Sequence, residues 1–323
     1  MPTKVNTAIV IGAGKIGAGF DSPKSPSILT HAHALKTQRS VRFLGLIDSN
    51  RAVGKAAARR WSVPYLGTSI RAVKAGADIV CIATPEQTHE KVFVQTIAWR
   101  PKIIVLEKPS SLDTAITKRM ARLARQNKVS VAVNYSRAFD PVLRQLRDDV
   151  RAGKYGRVIS ASGSYTKGLL HNGSHMVQLA EYFFGGVLHA IPLHSTLDFT
   201  KSDPSISAFL RFDHCDQFYL SAGDARAFAL CEFVVLCERA RIRYSDSDDA
   251  IYIAQVIPDK RYAGFRRLSQ ERKTLTGGRK VMRHVIESAV RHIRSGVSVP
   301  CDLTAAMHAE AICIQLKKQY EKK

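Results

Sequence analysis

A chain of 323 residues is about two domains long, and its 45% apolar content allows packed cores and excludes a disordered or fibrous chain. Lys and Arg number 49 against 27 Asp and Glu, a formal net charge of +22 that draws anions over long range; with no run of five basic residues and no nucleic-acid module signature, a phosphorylated small molecule is the expected partner and nucleic acid is not. The six cysteines form no CxxC pair and give no support for a zinc site, and no apolar run approaches the ~20 residues of a membrane span, so a cytoplasmic protein without a membrane partner or a metal is expected.

In chain order, the first half alternates short apolar runs with helical patterns. Thr7–Ile11 is a β-rich run ended by Gly12, and a second run, Val41–Ile47, ends at Asp48. A helix is predicted from Arg51 to Arg60, then a strand from Ala77 to Ile82 that stops at Ala83-Thr84-Pro85. A helix from His89 to Ala98 and a strand from Lys102 to Leu106, stopped by Glu107-Lys108-Pro109, follow. A helix from Leu112 to Gln126 and a strand from Val129 to Val133 complete the series. Short, nearly continuous apolar strands between helices predict a parallel sheet covered on both faces, a doubly wound Rossmann-type α/β domain. Ligands bind such sheets beyond the carboxyl ends of the strands.

Gly12-Ala-Gly14-Lys15-Ile16-Gly17 stands directly after the first strand. In this G-x-G-x-x-G the first glycine permits a tight turn, the second lets backbone approach a pyrophosphate, and the third allows close packing. Asp48, with Ser49 beside it, is placed for the adenosine ribose; its charge repels a 2′-phosphate and favours NAD, with Arg51 close enough to keep NADP open. The alternative is that Asp48 only caps the next helix. Asp48 comes about thirty residues after Gly17, and Phe20–Ser27 carries two prolines that a helix interior does not tolerate. The segment 20–28 is therefore read as an inserted loop, a lid or a packing detail, with helix resuming around Leu29–Leu35.

Lys108 follows a buried strand, and a lysine desolvated there can polarise a carbinol or carbonyl oxygen. Gly12-Ala-Gly-Lys-Ile-Gly17, Ala83-Thr-Pro85 with His89, Glu107-Lys-Pro109 and Gly173-Ser-His175 together resemble the glucose–fructose oxidoreductase, inositol dehydrogenase and rhizopine-catabolism family (Gfo/Idh/MocA), and Asp140-Pro141 and Gly153-Lys-Tyr-Gly156 fall where that family opens its second domain. The resemblance implies a Rossmann domain (residues 1–135) followed by an α+β substrate and oligomerisation domain (136–323) with a large, open, mostly antiparallel sheet, and a C-terminal helix that can pack back on the first. It implies hydride transfer between a nicotinamide and a sugar, polyol or nucleotide-linked sugar, of the kind used in surface-polysaccharide synthesis. Lys108 would be the catalytic lysine and His175 a general acid or base. Thr84, Pro85, His89, Glu107 and Asn134 would line the cofactor side, and a homodimer or homotetramer would form.

The chain departs from the family pattern at His171, which stands where the family has an aspartate, and at Gln178. His171 and His175 are four apart and would share one face of a helix. His171 then serves as a substrate hydrogen-bond donor while His175 titrates near neutrality. A regulator that binds dinucleotide or sugar without turnover is the alternative.

From Gly156 the pattern changes to alternation, which predicts antiparallel strands over Arg157–Ser162, Ser207–Phe212, Gln217–Ser221, Phe228–Cys237, Ala240–Tyr244 and Ala250–Ile257. A helix from His175 to Phe184 would carry the histidine, with Tyr182, Phe183 and Phe184 read as core. Amphipathic helices are predicted over Arg279–Ser295 and Leu303–Tyr320.

Overall fold

The computed structural model describes residues 5–73 and 76–322. The chain divides into two compact units, Met1–Phe139 with Arg279–Met307, and Asp140–Gly278 with His308–Lys323.

In the first unit, among the described residues, six strands form a parallel sheet: β1 (Asn6–Ile11), β2 (Val41–Ile47), β3 (Tyr65–Gly67), β4 (Ile79–Ile82), β5 (Ile103–Leu106) and β6 (Ser130–Val133), in the order β3-β2-β1-β4-β5-β6. Every residue of β4 and β5 is buried, which is why their sequences are unbroken apolar runs rather than alternating ones. Helices α1 (His31–Thr37), α2 (Arg51–Trp61), α3 (His89–Ile97) and α4 (Thr114–Gln126) connect the strands. Their starts are fixed chemically: Thr30, Asn50 and Asp113 each accept backbone N–H bonds that the first turn would otherwise leave open. Strand order reverses between β1 and β4, so the chain segments leaving these two strands lie side by side at the carboxyl edge.

In the second unit, helices α5 (Pro141–Arg151) and α6 (Ser174–Phe184) accompany β7 (Val158–Tyr165), β8 (Val187–Thr200), β9 (Asp203–Phe212), β10 (Cys215–Ala222), β11 (Cys231–Cys237), β12 (Ala240–Ser245), β13 (Ala250–Pro258), β14 (Arg266–Leu268) and β15 (Arg272–Leu275). The strand order is β14-β13-β12-β11-β7-β10-β9-β8, with β15 also on β13, and every pairing is antiparallel except β7 with β10. Its core is aromatic: Phe183 and Phe184 of α6 pack against Phe212, Phe218 and Phe233, with the Phe183 and Phe233 ring centroids 5.3 Å apart. The expected core role of Phe183 and Phe184 is thus met. Tyr182 differs, being half-buried beneath the Arg147 guanidinium.

Four elements of this unit, β8, β14, β15 and α5, have no counterpart in the sequence reading. β8 is the longest strand of its sheet and lies at its edge, where Pro192 is tolerated because an edge strand need not donate on both sides. α5 starts with Pro141, and the Asp140 carboxylate caps it by accepting the Val142 and Leu143 N–H groups. Helix α7 (Val281–Ser295) packs on α1 and belongs to the first unit; the residues of α8 (Leu303–Tyr320) divide between the units after Met307. Among the described residues no helix is long and apolar enough to cross a membrane.

Candidate functional site

The glycine turn is shaped by close approach. Gly12 has φ +97°, and a Cβ on it would lie 2.4 Å from the Ala83 carbonyl oxygen at the end of β4. A Cβ on Gly17 would fall 1.9 Å from the Gly12 oxygen, whereas one on Gly14 would meet nothing within 4 Å. The first and third glycines are therefore required by the protein's own packing. The second leaves open space over exposed backbone, where a diphosphate can approach. Lys15 and Ile16 follow in a single π-helical turn, Lys15–Gly19, whose Phe20 N–H donates to the Lys15 oxygen. Lys15 is exposed and Ile16 partly buried.

Asp48, at the end of β2, accepts the Ala13 N–H at 2.7 Å on Oδ2 and the Asn50 N–H at 2.7 Å on Oδ1. Its carboxylate ties the glycine turn to the second strand, and two oxygens with about four acceptor positions retain capacity for ribose hydroxyls. Asn50, not Asp48, caps α2, which corrects the capping alternative. Ser49 is exposed beside it.

The segment after the turn folds back on itself. Asp21, buried, accepts the Leu29 and Thr30 N–H groups and the Thr30 hydroxyl, and its Oδ2 lies 2.9 Å from His33 Nδ1. Helix resumes at His31, close to the expected start, and the segment is packed rather than open: Ile28 N–H donates to the Arg279 oxygen at 2.7 Å.

At the ends of β4, β5 and β6 the remaining residues fall into two layers. Thr84 and Pro85 face outward, with the Thr88 hydroxyl 2.9 Å from that of Thr84. His89 lies behind them, buried, with its ring nitrogens 2.9 Å from the Thr84 oxygen and 3.0 Å from the Pro109 oxygen. It braces the β4 end against the Lys108-Pro109 peptide, which is cis. Glu107 and Asn134 are buried against each other, with Asn134 Nδ2 donating to Glu107 Oε1 at 2.6 Å and also lying 3.2 Å from Met282 Sδ. Lys108 is partly buried at the edge.

Sequence reasoning missed His31, whose Nε2 stands 2.7 Å from Glu107 Oε1. Burial lowers the imidazole pKa, but the neighbouring Cys81 and Glu107 side chains outweigh it and push it up, to about 10. Burial opposes the charge of Glu107 as well, yet His31, Asn134 and Lys108 hold its carboxyl below the usual carboxylate range. The available signal was two histidines in the mainly apolar stretch Ile28–Leu35.

In the second unit, His171 lies in a π-helical turn, Leu169–Gly173, while His175 is in the first turn of α6. They do not sit on one regular α-helix, so the shared-face expectation fails: two peptide N–H groups, of Leu170 and His171, donate to the Asp203 carboxylate and hold the wider turn. The His171 ring packs on Phe199 at 4.8 Å, and the Lys167 ammonium lies over the same ring at 5.6 Å. Asp198 accepts the Lys167 and Ala225 N–H groups and the Ser205 hydroxyl, fixing the strand end at Lys167, where φ is +75°. Lys167, Asp198, Phe199 and Asp203 were not legible beforehand, because three of them lie on or beside the unread strand β8. Gln178 is buried.

Comparison with known proteins agrees with this geometry. Residues 7–135 match the model of the oxidoreductase family with an NAD-binding Rossmann fold. The chain is 41% identical over 91 residues to the rhizopine catabolism protein MocA of Rhizobium meliloti (28% of each chain), and 28% identical over 151 residues to an inositol 2-dehydrogenase of the same species (46% of this chain, 42% of the relative). It thus spans less than half the length of these curated relatives. In structure it resembles a UDP-N-acetylglucosamine 3-dehydrogenase from Acidithiobacillus ferrooxidans, at a TM-score of 0.79 and 17% identity over 97% of both chains, a likeness of fold. With its glycine turn, its Glu107-Lys108-Pro109 strand end and these relatives, the first unit is similar to the NAD-binding Rossmann domain of the Gfo/Idh/MocA oxidoreductases over residues 7–135.

Proposed function

We propose that this protein is an NAD-dependent oxidoreductase acting on a CH–OH or keto group of a polyol, sugar or nucleotide-linked sugar. The observation that carries the reading is the open space over Gly14 beside two glycines that packing demands, with Asp48 at the next strand end. These fit a dinucleotide: the turn's backbone amides would hold the diphosphate and Asp48 the ribose, with Thr84 and Pro85 along the nicotinamide half. The nicotinamide ring supplies the hydride acceptor.

The chain's own task is the hydroxyl proton. Lys108, at the edge of the first unit, would bind the reacting oxygen and stabilise it as it loses the proton. His175 would receive that proton, with His171 as a hydrogen-bonding group to neighbouring hydroxyls. The +22 charge supports an anionic substrate such as a nucleotide-linked sugar. The exposed apolar residues Leu188, Leu193, Leu197 and Tyr219 on the second unit's sheet support pairing with a second copy into a dimer or tetramer.

The test is calorimetry with NAD and NADH, followed by absorbance at the NADH band with inositol, simple sugars and nucleotide sugars. Binding with turnover on one of them is expected, and Lys108→Met should retain binding while turnover falls by about 10²–10⁴. No uptake of either coenzyme form overturns the reading, and uptake without any turnover favours a non-catalytic binder.

A further inference from the structure

The segment Phe20–Thr30 has no task in the proposed chemistry, yet it is built with care. Asp21 closes it through Leu29, Thr30 and His33. Thr30 caps α1 by accepting the His33 N–H, and the Trp61 indole donates to the Ala18 oxygen at 2.9 Å. The consequence is that the first residue of α1 is delivered, fully buried, onto the carboxylate next in sequence to Lys108.

That carboxylate needs a counter-charge. Glu107 Oε1 has His31 Nε2 at 2.7 Å and the Asn134 amide at 2.6 Å, and it lies in a site almost closed to water. A buried carboxylate costs several kcal/mol unless it is paired and hydrogen-bonded, and the amide alone brings no charge. Of its two hydrogen-bond partners at Oε1, the imidazole is the one that can bring charge. Lys108 is also close enough to act on Glu107 electrostatically.

We propose that His31 is a positioning residue for Lys108: as an imidazolium hydrogen-bonded to Glu107 it neutralises that carboxylate, so that the lysine does not face an uncompensated buried charge. This rests on the proposed role of Lys108. The inserted segment is then neither a lid nor inert packing; it is the support that carries His31 into place. The other titratable group against the His31 ring is Cys81 on β4. His33 is engaged by Asp21, and His284 of α7 by Glu287 within its own helix.

The charge logic makes a signed forecast. Replacing His31 with a neutral group leaves Glu107 acting on Lys108 alone and stabilises the ammonium. In His31→Gln, the midpoint for acylation of Lys108 by acetic anhydride, followed by mass spectrometry across pH, should rise by about one unit, a tenfold change in the ammonium-to-amine ratio. In the double variant His31→Gln/Glu107→Gln the midpoint should return towards that of the parent, which a merely structural role would not produce. In the unmodified protein, ¹⁵N NMR should show both His31 ring nitrogens protonated at pH 8. An unmoved Lys108 midpoint in His31→Gln overturns the proposal. So does a neutral His31 ring at pH 8, a measurement that stands even if the variants fail to fold. Because neither readout needs coenzyme or substrate, a failure to bind NADH would remove the proposed activity while leaving these results to decide the charge relay.

Discussion

Single residues here separate into those the fold needs and those the ligand needs, and the three glycines of the turn show how. Gly17→Ala places a methyl 1.9 Å from the Gly12 oxygen, whereas at Gly14 it meets nothing. Thermal unfolding should therefore show a loss of several degrees for Gly17→Ala and almost none for Gly14→Ala, while calorimetry should show NADH affinity falling at least about tenfold for Gly14→Ala. Equal destabilisation by both would refute this division. Glu181 of α6 offers a second residue-scale forecast, since burial raises its pKa to about 8. The unfolded chain ionises this group near 4.5 while the folded one keeps its proton, so stability is highest below 4.5 and falls as pH rises towards 8. Glu181→Gln should flatten that fall, gaining on the order of 1–2 kcal/mol at pH 8 in urea titrations; an unchanged pH slope would show the carboxyl to be solvated. His31 has the same sign in a later window, its contribution fading as pH climbs from 6.5 through about 10. The glycine turn and the strand-end position of Asp48 were legible because they depend on local spacing. His31 was not, because a histidine's partner across 76 residues leaves no local trace.

Elements were read well where their burial gives a pattern and poorly where it does not. The fully buried β4 and β5 appear as apolar runs and α4 as an amphipathic helix, so their order predicted the sheet. β8 mixes histidine, proline and leucine because it borders the sheet and is half-covered, which erases period-two alternation. Its exposed side is where the proposed assembly can be examined. Leu193→Asp with Leu197→Asp should convert an oligomer to a monomer in light scattering without loss of far-ultraviolet signal, and a monomeric parent protein would dismiss the interface. The inserted segment is held chiefly by one carboxylate. Asp21→Ala leaves the buried Thr30 N–H and the part-buried Leu29 N–H unmatched and should cost about 2–4 kcal/mol in denaturant unfolding. A cost under about 0.5 kcal/mol would mean water replaces it readily.

For the molecule as a whole, the excess of basic over acidic residues is a property that sequence states directly. A field from +22 charges should strengthen the capture of anions and be screened by salt. Raising NaCl from about 0.05 to about 0.5 M should weaken binding of a nucleotide-linked sugar several-fold and leave a neutral polyol unaffected; equal insensitivity of both would argue against an anionic substrate. The sequence by itself determined the fold class, because strand and helix periodicity and a glycine turn are local consequences of backbone geometry. Only the tertiary structure decided which polar groups are sealed from water and what they face. The His31–Glu107–Asn134 cluster, the Asp21 closure and the Asp203-bound turn at His171 all join residues apart in sequence, and only folding brings those polar groups within hydrogen-bond reach.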